Sequence, residues 1–333
     1  MGLRKVNAAM TVRATLGFVI IAVAYVRIAG AEEGGLIPEA SDSLSGDFVP
    51  SRGFDAPSWQ VTVEGMLIQR DDMDSVPLIV DLGGAITLLN ADELSLRHRN
   101  GIRLSASRQV VRSLDLELEY SRAGLADDSV LDSAAGAEMF AYGAAFGTAP
   151  LSLVYGSDLN NYEFNWRYGW CRGPLKMLVG ARHMALDESM TVTDAASPPQ
   201  LFLGNLRNHM DGGQVGVEGV ICQNRFARIE GGIKLGFYNN SANFDAAFPQ
   251  AGPGATFEAA SDEHAYSTEL WLGVNSRLTE RLSLKLGYRL MWLRGIALLP
   301  EQLDDMAVPI VGELQVKGDP VYRGMTVGLQ LDW

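Results

Sequence analysis

Cysteine and histidine are the scarcest reactive side chains in this sequence, two and four residues among 333. No metal-ligand spacing, phosphate loop or dinucleotide fingerprint accompanies them, so no cofactor is expected. Basic residues are few as well. Lys and Arg number 27 against 40 Asp and Glu, a formal charge of −13. Binding to nucleic acid depends on neutralising phosphates, so no nucleic-acid partner is expected. Long apolar runs are also missing. Mean hydropathy is close to zero, which excludes a bundle of spanning helices of roughly 20 apolar residues each. It leaves open a transmembrane barrel, whose strands are only half apolar.

What is abundant is glycine, 36 residues, which suits turns and tightly curved strands. Strict alternation is abundant too. In residues 281–293, RLSLKLGYRLMWL, Leu282, Leu284, Leu286, Tyr288, Leu290 and Trp292 occupy every second position. A strand sends successive side chains to opposite faces, so this stretch has one apolar and one polar face; a helix would scatter the leucines. At more than about 9–11 residues it is long enough to cross a bilayer.

Three regions follow from composition. Arg4, Lys5 and Arg13 precede a short apolar run over residues 16–26, and Ala29-Gly30-Ala31 fits a small-residue cleavage site. Residues 1–31 therefore read as an export signal cleaved after about Ala31. Its removal takes four basic residues and no acids, leaving a charge of −17. Residues 32–57 carry Pro, Ser, Gly and Asp without periodicity and read as an extended leader. Residues 58–333 read as a single barrel.

Alternating strands are predicted over 59–69, 102–108, 114–120, 162–170, 175–184, 210–222, 225–238, 264–274, 281–293 and 322–333. Minor hairpins are placed at 78–80 with 86–89, and at 139–146 with 151–155. The connections alternate long and short, with 187–208 and 239–263 among the long loops. Outer-membrane barrels share this asymmetry, short turns facing the periplasm. The expectation is an all-β, antiparallel, up-and-down transmembrane barrel of about 10–12 strands. A soluble sandwich or propeller is the competing architecture.

From about residue 160 onward the chain also resembles the bacterial β-barrel porin 7 family of outer-membrane proteins. The matching pieces are Asn161-Tyr162-Glu163-Phe164-Asn165, Gly180-Ala181-Arg182 with Leu186-Asp187-Glu188, and Asn208 with Gly213-Gln214-Val215-Gly216. Gly287-Tyr288 leading into the run from Gly295 to Gln302, and the closing Gly324-Met325-Thr326-Val327-Gly328-Leu329, continue the pattern. The resemblance implies the bacterial outer membrane, its lipid as the principal partner and porin-like passage of small solutes. It carries over no catalytic residues, and the chain is not expected to be an enzyme.

The inward row should line the lumen with Glu64, Arg103, Glu117, Glu163, Arg167, Arg182, Glu218, Glu230, Lys234, Glu269, Lys285 and Arg289, joined by Asp115, Glu119, Lys176 and Arg228. That is eight acids against eight bases, so mutual pairing across a narrow lumen is expected rather than a selectivity ring of one sign. Trp166, Tyr168 and Trp333 are expected as aromatic anchors at one interface, Trp292 and Phe237 at the other. Two further readings stay open. One is a structural or adhesive barrel without a pore. The other is a rim-loop hydrolase using His209, Asp211 and the pairs Asp71-Asp72, Asp127-Asp128 and Asp304-Asp305. Cys171 and Cys222 end strands two apart at one rim, about 10 Å if strands lie near 4.8 Å from one another. A disulfide there requires the two turns to lean together.

Overall fold

The computed structural model describes residues 59–71, 75–81, 87–94, 99–111, 113–131, 137–139, 144–145, 151–169, 174–194, 200–224, 226–247, 256–304 and 314–333. Residues 1–57, expected to be an export signal and an extended leader, lie outside them. Ten strands form one closed antiparallel barrel. In chain order the barrel strands are β1 (Trp59–Arg70), β4 (Arg99–Val111), β5 (Leu114–Leu131), β8 (Leu151–Gly169), β9 (Leu175–Asp194), β10 (Gln200–Gln223), β11 (Ala227–Ala247), β12 (Thr256–Arg277), β13 (Leu282–Arg294) and β14 (Val321–Asp332). Neighbours in sequence are neighbours in the wall, and β1 closes on β14. The closure ends with Trp59 and Trp333 exchanging backbone hydrogen bonds, 2.8 and 3.0 Å.

Register fixes the strand tilt. Partners followed round the barrel from Asn208, through Leu186, Leu159, Ala123, Gly101, Met66, Thr326, Gly287, Gly273 and Glu230, return to β10 at Val220, twelve residues along. A ten-strand barrel with that stagger has strands inclined about 40° and an interior only slightly wider than one that side chains fill.

Two storeys divide the barrel. Near the rim carrying Trp59 and Trp333, the wall is apolar outside: Val63, Leu118, Val179, Val217, Leu235, Leu286 and Val327 stand exposed. The anchors Trp166, Tyr168, Trp333, Trp292 and Phe237 are exposed with them. No soluble β-sandwich leaves such a continuous row in water, and this belt defines transmembrane strands. Beyond it, β8 to β12 continue as a second storey in which the chemistry of the two faces reverses. Met184, Leu186, Met190, Val192, Phe202, Leu206, Met210, Ala242 and Phe244 now point inward and are buried. Asn205, Arg207, His209, Asp211, Asn243 and Asp245 point outward. The faces keep their phase and the surroundings change. Against lipid the apolar row must face out; against water it must face in.

This reversal corrects the predicted loops. Within 187–208 and 239–263, residues 187–194, 200–208, 239–247 and 256–263 are strand. The stretch 151–155 is the far end of β8 and not part of a separate hairpin, so the barrel count is ten rather than twelve. The remaining described strands, β2 (Pro77–Asp81), β3 (Thr87–Asn90), β6 (Ala137–Met139) and β7 (Ala144–Ala145), form a small sheet of order β3-β2-β6-β7. Leu78, Ile79, Leu89 and Leu94 join the same hydrophobic core as the second storey.

Interior glycines give the long lumen side chains somewhere to lie. At Gly236 an added Cβ would overlap the Tyr238 hydroxyl. That hydroxyl is held 2.8 Å from Ser267 Oγ, and the ring cannot retreat from a filled core. Gly236→Ala is expected to destabilise the barrel by about 1–3 kcal/mol, as overpacking does. It would be read as a lower urea midpoint for the refolded protein, and an unchanged midpoint would contradict this placement.

Candidate functional site

Every side chain expected to line the lumen lies inside the barrel, and two levels can be distinguished. At the central level are Glu64, Glu119, Glu163 and Glu269 with Arg103, Arg182, Lys234 and Arg289. Arg103 bonds Glu64 and, through Nε at 2.5 Å, Glu119. Lys234 Nζ lies 2.7 Å from Glu163 Oε2. Arg182 reaches Glu269 at 3.1 Å and Glu163 at 3.4 Å, and Arg289 also bonds Glu269. Nearer the Trp333 rim, Arg167 Nη2 meets Glu117 at 2.5 Å and its Nε lies 3.4 Å from Glu218. There Lys176 pairs with Asp115 at 2.5 Å, while Arg228 and Lys285 share Glu230 at 2.8 and 3.4 Å. Each level holds four acids and four bases. Neither carries the single-sign excess of a selectivity ring.

Neutral amides, quoted above only as parts of the family-like pieces and given no role there, link the central level to the Arg167–Glu117 pair. Gln214 Nε2 donates to Glu163 Oε2 and to Asn165 Oδ1, both at 2.7 Å. Asn165 donates to Glu117 at 3.2 Å, and Arg182 Nε donates to Asn161 Oδ1 at 2.7 Å. Their sequence signals were position on the inward row and membership of those pieces. Paired and hydrogen-bonded charges are the form in which a dry interior tolerates ions.

Above the central level the lumen receives residues 295–304, which follow β13. Gly295, at φ +76°, turns the chain inward where a Cβ would strike the His264 carbonyl. Ile296, Ala297, Leu298 and Leu299 are then buried, followed by Leu303 in the short helix α1 (Leu299–Asp304). Side chains from the wall hold this plug by its backbone. Asn208 accepts from Ala297 N and donates to Ala297 O, each at 2.9 Å. Glu188 Oε2 accepts from Leu299 N at 2.7 Å, and its other oxygen pairs with Arg70, wholly buried, from across the barrel. Tyr155 and Ser157 complete the Arg70 contacts at 3.1 and 3.3 Å. A cavity of about 60 Å³ adjoins the central level, lined by Arg103, Glu119, Arg182 and Glu269 together with Met66, Leu159, Met291 and Tyr322. A second, of about 180 Å³, lies toward the Trp333 rim.

The residues of the hydrolase reading are placed differently from expectation. His209 and Asp211, expected to open a strand at the outer rim, share one face but lie in the middle of β10, facing outward on the wall. Asp211 Oδ1 is 2.7 Å from His183 Nδ1, and the His183 and His209 rings stack at 6.3 Å. Asp71 pairs with Arg323 at 3.2 Å; the side chains of Asp72, Asp127, Asp128, Asp304 and Asp305 lie outside the described residues. Cys222 is exposed with a free thiol, and Cys171 is outside the described residues.

A closed antiparallel barrel with an outward apolar belt is the architecture of bacterial outer-membrane proteins. No protein-family model matches the chain, so membership of the β-barrel porin 7 family is not shown. No curated protein matches it either. Among solved structures it is similar to the outer membrane protease OmpT from Escherichia coli (TM-score 0.46, 10% identity, 85% of this chain and 99% of that one). It is similar also to the translocator domain of the autotransporter NalP from Neisseria meningitidis (TM-score 0.39, 6% identity, 82% and 88%). A third is a major outer membrane protein from Thermus thermophilus (TM-score 0.34, 9% identity, 84% and 100%).

Proposed function

We propose that this chain is an exported outer-membrane barrel of porin-like build whose lumen is sealed at rest. In this reading it stabilises the envelope and presents its second storey outside the cell, rather than serving as an open general porin. The observation that carries the reading is the plug. Expelling Ile296, Leu298, Leu299 and Leu303, each 3% exposed or less, would forfeit about 1.5–3 kcal/mol apiece, on the order of 6–12 kcal/mol together. That holds the spontaneously open fraction below about one in ten thousand. Below the plug, the balanced charge levels form a second obstruction. Residues 1–31 enter this reading as a signal cleaved after about Ala31, and the Trp333 rim faces the periplasm.

The reading assigns no catalysis. His183, His209 and Asp211 lie on the outer wall, away from the lumen where the other polar groups converge. Slow passage of small solutes is the second reading, favoured by the two cavities on either side of the central charge level. Planar-bilayer recording of the refolded protein separates the two. A flat trace is expected, and discrete current steps at low voltage would overturn the sealed lumen.

A further inference from the structure

The cavity toward the Trp333 rim differs from the other one in what lines it. Seven Lys and Arg side chains line it against four Glu. Arg103, Lys234 and Arg289 are answered by Glu119, Glu163 and Glu269, none of which lines the cavity. The cations around the space itself are Arg167, met by Glu117, Lys176, met by Asp115, and Arg228 and Lys285, which share the one carboxylate of Glu230. Moreover, the Nε–H groups of Arg167 and Arg228 are buried and meet no acceptor. Glu218, 3.4 Å from Arg167 Nε, is a Coulombic partner that does not satisfy that hydrogen. A buried donor without an acceptor is costly, more so when it is charged. Two such guanidinium groups line the cavity beside two lysines, and together they suit a compact group with several anionic oxygens. Guanidinium forks match such groups in geometry as well as charge.

We infer that this cavity is a binding site for a small oxyanion, phosphate or sulfate, or a solute carrying one. The ligand enters from the Trp333 rim and is held by Arg167 and Arg228 with Lys176 and Lys285. The volume of about 180 Å³ limits it to a small molecule. The plug closes the other direction, so the site is a one-sided pocket and not a station on a through-path. A chain of net charge −13 would otherwise repel anions, so attraction here must be local and should weaken as salt screens it.

Calorimetric titration of the folded full-length chain in non-ionic detergent with inorganic phosphate, at low ionic strength over a chloride background, tests the site. One saturable event is expected. Arg228→Gln, at the partly open mouth, should weaken it about tenfold, the scale of one lost charge-assisted contact. Arg122→Gln, on the outer wall against Asp158, should leave it unchanged. If Arg228→Gln does not fold, Lys176→Gln serves in its place, since that side chain is 44% exposed and its removal leaves little strain. Absence of saturable heat with the wild-type chain overturns the site, as does equal weakening by the wall and mouth variants. Bilayer current is an independent readout. Phosphate binding in a protein that also conducts would sink the sealed lumen and keep the site, while a flat trace without binding would do the reverse.

Discussion

Glu188→Leu is expected to lower the stability of the folded barrel by about 3–5 kcal/mol, the cost of leaving a buried charge without its partner. Arg70 and Glu188 are both wholly inaccessible, from strands on different sides of the lumen. Without the carboxylate, Arg70 keeps the hydroxyls of Tyr155 and Ser157 but no anion in hydrogen-bond reach, and the Leu299 N–H loses its acceptor. The double variant Arg70→Met/Glu188→Leu should recover most of the loss, because an apolar pair of similar volume often replaces a buried ion pair without penalty. Recovery should stop about 1–3 kcal/mol short of wild type, the cost of the orphaned Leu299 N–H. Urea unfolding of the wild type, Arg70→Met, Glu188→Leu and the double variant in vesicles gives the coupling directly. A double variant less stable than Glu188→Leu alone would refute this account of the latch.

Leu286→Arg is the second large effect. Leu286 is half exposed on the outer face of β13, within the apolar belt, where an arginine costs about 2–4 kcal/mol near the bilayer midplane. Its neighbour Lys285 points the opposite way, toward Glu230, which keeps Arg228 at 2.8 Å when Lys285 is removed. Lys285→Leu should therefore cost about 1 kcal/mol or less, the range of a partly exposed pair. Refolding yields and urea midpoints in bilayers of defined thickness would show the contrast. Equal effects of the two substitutions would mean that the assigned faces are wrong.

The transmembrane storey was legible residue by residue. Alternation in residues 281–293 places Leu282 to Trp292 on one face and Lys285 and Arg289 on the other, and the structure has them so. The second storey was misread for a physical reason. At His183, His209, Asn239 and His264 the outward row turns from apolar to polar, and beyond that level the inward row becomes apolar. A reader following one apolar row sees it end and infers a loop. The strand continues with its greasy side exchanged, and only knowledge of where lipid ends could reveal that.

Partnership was not legible either. Arg103 and Glu64 are 39 residues apart, Gln214 and Glu163 are 51, Arg182 and Glu269 are 87. Equal numbers of acids and bases on the inward row implied that pairing must occur without saying who pairs with whom. The plug was written in the run from Gly295 to Leu299 but looked like part of a surface connection. Its apolar residues carry no period, and the space they fill exists only once ten strands have closed.

Local chemistry, repeated every second residue, was enough to determine strands, faces and the ionic character of the interior, because a pleated chain has only two sides. Closure, stagger and the sealing of the lumen were decided in three dimensions. They depend on how far each strand slides against the next, on a wall passing from oil into water, and on charges that meet only across the barrel.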